Sequence, residues 1–185
     1  MLISSLYLSC TQNNNRSKDE TLKNDTTTFF QVGNFINSQI EEVSRTPYYI
    51  YKIDITNGKK DSAKINTEIF KKISFQFLKP DISDPAIKRN YTENIFHDQT
   101  TQSFTISYSA KDPTLEVRNL EVLLKEDGET VKRIFIRKFF NYADSTAMEQ
   151  LSWKSGESFR INRLVQTADK NEIERQTIVV WNEKS

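Results

Sequence analysis

From residue 101 to residue 181 the chain repeats one pattern: short segments alternate apolar and polar side chains, and turn residues separate them. Phe104, Ile106 and Tyr108 alternate with Ser and Thr. Leu115–Leu124 follows, then Thr130–Phe140, Met148–Lys154, Phe159–Thr167 and Arg175–Trp181. Period two is the signature of strands with two unlike faces. Connections this short cannot carry parallel crossovers, so consecutive strands must pair as an antiparallel meander. Asp127-Gly128 predicts a two-residue hairpin, because both residues tolerate positive φ. In that register Val131 faces Leu124, Arg133 faces Val122, Phe135 faces Leu120 and Arg137 faces Arg118. At Ser155-Gly156 a three-residue loop puts Leu151 and Trp153 on the same face as Phe159 and Ile161. A two-residue loop would mismatch them.

The stretch before residue 101 reads differently. Phe29, Val32, Ile36, Ile40 and Val43 recur at helical spacing and predict a helix over about 27–45, capped within Thr26–Thr28 and ended by Pro47. Tyr48 to Thr56 alternates, with Tyr49, Tyr51, Ile53 and Ile55 on one side, and Asn57-Gly58 stops it. Ile65, Ile69, Phe70, Ile73 and Phe77 predict a second helix over about 62–78, capped by Asp61 or Ser62. Residues 80–100 read as a loop with a short helical piece near 86–96. The expected fold is α+β: a curved antiparallel meander of about six to seven strands packed on two N-terminal helices. Its element order is similar to cystatin-like or nuclear-transport-factor-like rolls. A β-sandwich or a partial barrel with two helices is the alternative.

Composition removes many function classes. Lys and Arg number 26 against 25 Asp and Glu, whereas general nucleic-acid binding needs a basic excess. One His and one Cys leave no material for a Cys/His zinc site or a disulfide scaffold. The four glycines, at 33, 58, 128 and 156, are isolated; neither a phosphate-binding loop nor a dinucleotide fingerprint can be built from them. No cofactor and no metal are expected. His97, beside Asp98, is a weak catalytic candidate, since neighbours on an extended chain point opposite ways. The least ordinary feature is a basic and aromatic stripe. Arg133, Phe135 and Arg137 share a face in period two, and the hairpin register adds Arg118. Such a face can clamp a carboxylate or phosphate group in a pocket, or it can be a solvated face if Ile134 and Ile136 are the core. Tyr48, Tyr49 and Tyr51 are candidates for a partner surface.

The first nine residues, Met1 to Ser9, are mostly apolar. Small Ser9 precedes Cys10, and the chain then turns polar through Thr11, Gln12, three Asn, Arg16 and Lys18. Tyr7 stands three before the cysteine, where Leu is usual, with Leu6 beside it, and no Lys or Arg precedes Cys10. The segment resembles the end of a bacterial lipoprotein signal, in the style of envelope lipoproteins of the Bacteroidota. That resemblance implies cleavage before Cys10, lipid on its thiol, and a location in the cell envelope, on the outer membrane, facing the periplasm or the surface. Residues 1–9 are then a signal remnant, 10–26 a lipidated polar tether, and 27–185 a single domain. About 17 flexible tether residues span roughly 20–25 Å on average. Elsewhere no run approaches the ~20 apolar residues of a spanning helix.

The expected function is therefore a non-catalytic, membrane-tethered envelope lipoprotein that binds a protein, a peptide or a small anionic ligand, and not nucleic acid. Two alternatives stand beside it. One is a hydrolase- or isomerase-like enzyme with an acid/base site in the pocket of the roll. The other is a structural component of an envelope complex, joined through a sheet edge with few charges.

Overall fold

A computed structural model describes residues 29–182. Cys10, the signal remnant and the tether lie outside the described residues. The chain runs α1 (Val32–Arg45), β1 (Ile50–Thr56), β2 (Lys59–Ile65), α2 (Thr67–Ser74) with a 3-10 turn (Phe75–Phe77), and α3 (Pro85–Lys88). Seven strands follow: β3 (Tyr91–Asp98), β4 (Ser103–Ala110), β5 (Val117–Leu124), β6 (Val131–Asn141), β7 (Ser145–Lys154), β8 (Ser158–Thr167) and β9 (Glu172–Val180). All nine strands form one antiparallel sheet in the order β2-β1-β9-β8-β7-β6-β5-β4-β3. The meander expected from residue 101 onward is present, with helices on one face, as a single sheet rather than two packed ones.

Two strands were not expected. Asn57 and Gly58 both have positive φ, 48° and 79°. A two-residue turn of that kind sends the chain straight back along its own strand, so residues 59–65 become β2 rather than the start of a helix. The second helix therefore begins later, and Asn66, not Asp61 or Ser62, caps it by accepting from the Ile69 amide at 2.9 Å. Residues 91–98, expected as helix or loop, pair along their length with β4. The first helix also starts later than expected. Its cap position is Gln31, with no side-chain cap bond, and the expected caps Thr26–Thr28 lie outside the described residues.

The core lies between the sheet and the helices. α1 contributes Ile36 and Val43, and α2 with its 3-10 turn contributes Phe70 and Phe77. They meet inward-facing Tyr108, Val122, Ile134, Leu151, Trp153, Phe159 and Val179. Trp153 is the centre of an aromatic cluster, 5.1 Å from the rings of both Phe77 and Phe159 and 5.4 Å from Trp181. Gln39 of α1 accepts from the Gly156 amide at 2.7 Å, and Tyr108 Oη accepts from the Phe30 amide at 2.9 Å. These bonds fix the helix layer to the β7–β8 loop and to β4. Gly33 lies at a close approach: a Cβ there would press on the Asp81 carboxylate, which would have to shift.

One end of this covered face is polar. Lys138 is only 4% exposed. Its ammonium donates to the Gln76 carbonyl at 2.8 Å and to the Lys79 carbonyl, and lies 3.6 Å from Glu116 Oε1. Burial pushes its pKa below the ordinary lysine value, against the pull of Glu116 and Glu149. Glu149, equally buried, accepts from Arg163 Nη1 at 2.7 Å. Each of these charges is held by a local partner, as burial demands.

Candidate functional site on the bare face of the sheet

The inward side of β6 carries Val131, Ile134, Ile136 and Lys138, and Leu120, Val122 and Leu124 of β5 lie beside them. Alternation then sends Arg133, Phe135, Arg137 and Phe139 to the opposite face, which no helix covers. The expected register needs correction here. Val131 does face Leu124, but Lys132 bulges out, so Arg133 faces Leu123, Phe135 faces Glu121 and Arg137 faces Asn119. The turn is longer than two residues: the Lys125 amide donates to the Thr130 carbonyl, and Gly128 donates to the Lys125 carbonyl at φ +70°. Asp127 accepts from the amides of Glu129 and Thr130 and from the Thr130 hydroxyl. Those bonds lower its carboxyl to about 2.

Three cross-strand rows of the bare face make a cleft of about 410 Å3. The central row is Glu121–Phe135–Ser152–Arg160–Ile178, running from β5 to β9. On one side lie Arg133, Lys154 and Ser158; on the other lie Asn119, Arg137, Gln150 and Asn162. Arg133 and Arg137 stand roughly 13 Å apart along β6, and Arg160 lies about 10 Å across, two strands away, in the row between them. The three arginine positions thus form a triangle on the sheet around Ser152 and Phe135. Among the described residues none of the three has a carboxylate within ion-pair distance. Lys154 is paired with Glu157. The Arg133 guanidinium lies 5.6 Å from the Phe135 ring centre, which holds it over the cleft. Planar guanidinium donors beside amide and hydroxyl groups can receive a carboxylate or phosphate group bidentately.

The structure thus brings together Arg133, Phe135 and Arg137 of the expected stripe and leaves out Arg118. That residue sits at a second bulge, between the Val117 and Asn119 pairings, and its guanidinium stacks 5.4 Å from the Phe139 ring instead. Lys154, Ser152, Gln150, Arg160 and Asn162 were not anticipated, although the signal was present. The three-residue loop at Gly156 that turns Trp153 and Phe159 inward must turn their neighbours on β7 and β8 outward, beside β6.

His97 lies on β3, outside this cleft, with its ring stacked 4.3 Å from that of Phe104. Asp98 does not orient it: its carboxylate accepts from the Thr100 and Thr101 amides and the Thr101 hydroxyl, and those bonds lower its pKa. The tyrosines divide. Tyr48 packs partly against the core, Tyr49 is 69% exposed under the Lys64 ammonium, and Tyr51 is 51% exposed. The inward residue of that strand is Ile50, not the Tyr49/Tyr51 set. Among the described residues no group of three or more His, Cys, Asp or Glu side chains is placed to hold a metal, and no helix is long and apolar enough to cross a membrane.

The two outer strands differ. Lys59, Lys60 and Lys64 line β2. The β3 edge has no Lys or Arg and exposes Ile95 by 58% and Phe96 by 60%.

No protein-family model and no curated protein sequence matches this chain. Among solved structures, the S-type phycobiliprotein lyase CPES from Guillardia theta is similar at 9% identity, with a TM-score of 0.25, over 85% of this chain and 99% of that one. At such a TM-score nothing about fold or function passes from it to this chain.

Proposed function

We propose that this chain is an envelope lipoprotein, lipidated at Cys10 and held by its polar tether, whose domain binds a small anionic ligand in the bare-face cleft without chemical turnover. One observation carries the binding reading: Arg133, Arg137 and Arg160 converge on one cleft with no carboxylate paired to them among the described residues. Arg133 is half-buried and Arg137 and Arg160 are exposed along the same cleft, so three guanidinium groups free of carboxylates are available there to an external anion. The cleft contains one carboxylate, Glu121, and no histidine. That disfavours a paired acid/base site there.

Thermal unfolding with added phosphate, citrate and short-chain dicarboxylates tests this. At least one should raise the melting temperature of the natural chain and leave Arg133→Ala/Arg137→Ala unmoved. Equal shifts in both proteins would remove the cleft as the site. The lipid anchor is tested separately, by the mass added to the chain in bacterial cells and its loss on Cys10→Ser.

A further inference from the structure

We propose that the β3 edge is a self-recognition surface, at which two copies of this chain join their sheets about a two-fold axis centred on Ile95. Edge strands in natural proteins are blunted by lysines, prolines or covering elements. β2 follows that rule with three lysines, whereas β3 has no Lys, Arg or Pro and its charges are the carboxylates of Glu93 and Asp98. Among the described residues nothing pairs with the outer side of β3.

The backbone dictates which groups are available. The Lys111 amide donates to the Asn90 carbonyl at 2.9 Å, and these two residues continue the β3–β4 register. Even-numbered residues of β3 therefore spend their amides and carbonyls on β4. Those of Tyr91, Glu93, Ile95 and His97 face outward.

Symmetry restricts the pairing further. A two-fold axis that pairs a strand antiparallel with its own copy stands perpendicular to the sheet, so each side chain stays on its own face. Directly opposed residues share a face, so they must be both odd or both even, and one residue must sit opposite itself. With Ile95 at the axis, Ile95 meets Ile95 and each Glu93 meets His97 of the second copy. All three pairs use outward backbone groups, giving about six hydrogen bonds. Shifting the axis to Asn94 places Glu93 against Ile95; shifting it to Phe96 places Ile95 against His97. Only the Ile95 axis combines an apolar pair with two carboxylate–imidazole pairs. The contact is isologous and closes on itself, leaving the lysine edges outermost.

Sedimentation of the full chain carrying Cys10→Ser, so that neither lipid nor a disulfide can join copies, reads the result. A dimer is expected. Ile95→Lys puts like charges directly opposite each other and should yield monomer with an unchanged circular dichroism spectrum. Ile95 is exposed, so a folded variant is expected. Glu93→Lys should weaken the dimer at least tenfold, and Glu93→Lys/His97→Glu should restore it by reversing both pairs. A monomeric parent, which would also follow if another part of the chain covers β3, overturns the proposal. So do species larger than a dimer, a dimer indifferent to Ile95→Lys, or a failed restoration by the double exchange.

Discussion

The two faces of the sheet are built from the same strands but treat charge in opposite ways. On the covered face, Lys138 and Glu149 are nearly buried, and each is held by neighbours of fixed position: the Gln76 and Lys79 carbonyls for one, Arg163 for the other. On the bare face, Arg133, Arg137 and Arg160 stand open and have no carboxylate partner among the described residues. Burial explains the first arrangement, because an unpaired charge under the helices costs several kcal/mol. No such pressure acts on the bare face. Charges there can remain unpaired, which makes them available to something else. Covered-face substitutions should therefore read out as stability, and bare-face substitutions as binding.

The largest expected effect is at the centre of the covered face. Trp153→Ala removes the side chain that four other rings contact and should cost about 3–5 kcal/mol in urea unfolding. Arg163→Ala strands the buried Glu149 carboxylate and should cost about 2–3 kcal/mol, with Arg163→Lys recovering part of it. Gly33→Ala drives a methyl group into Asp81, whose carboxylate is tied to the Ser83 amide and hydroxyl. Overpacking of this kind should cost about 1–3 kcal/mol. By contrast, Arg133→Ala/Arg137→Ala should shift stability by no more than about 0.5 kcal/mol while abolishing anion-dependent stabilisation. A loss of several kcal/mol there would erase the distinction between the faces.

The smallest effect is in the pH dependence. Burial holds Lys138 below its ordinary value of 10.5 in the folded chain. Between that depressed value and 10.5, the unfolded chain binds a proton that the folded chain has released, so stability gains with rising pH across the window. Unfolding midpoints of the natural chain, compared with those of Lys138→Met, should show this rise only where Lys138 is present. Tyr91 and Tyr108, raised by burial, act in both proteins and cancel in the comparison.

Legibility in the sequence followed the strength of local periodicity. The meander from β4 to β9 could be read because Tyr108, Leu151, Trp153 and Phe159 alternate cleanly with polar neighbours. β2 could not: Lys-Lys-Asp-Ser-Ala-Lys-Ile has one buried side chain and no alternation, and only the Asn57-Gly58 turn betrays it. β3 exposes most of both its faces at the sheet edge, so it too lacks a pattern. Half of the cleft was legible through the stripe on β6. The bulges at Lys132 and Arg118 were not, because an extra residue leaves no mark on the alternation of either flank, and it was the Lys132 bulge that set Asn119, rather than Arg118, opposite Arg137.

The place of β9 between β1 and β8 also sets an order for assembly. The N-terminal hairpin can form as soon as it is made, yet its neighbour in the sheet is the last strand, with Tyr51 facing Val180. Until residues 172–180 leave the ribosome, the hairpin has nowhere to dock and the core lacks Val179 and Trp181. Such long-range pairing slows folding. A chain stalled before its final strand would hold a meander with one raw edge and a loose hairpin, a form that quality-control proteases can cut.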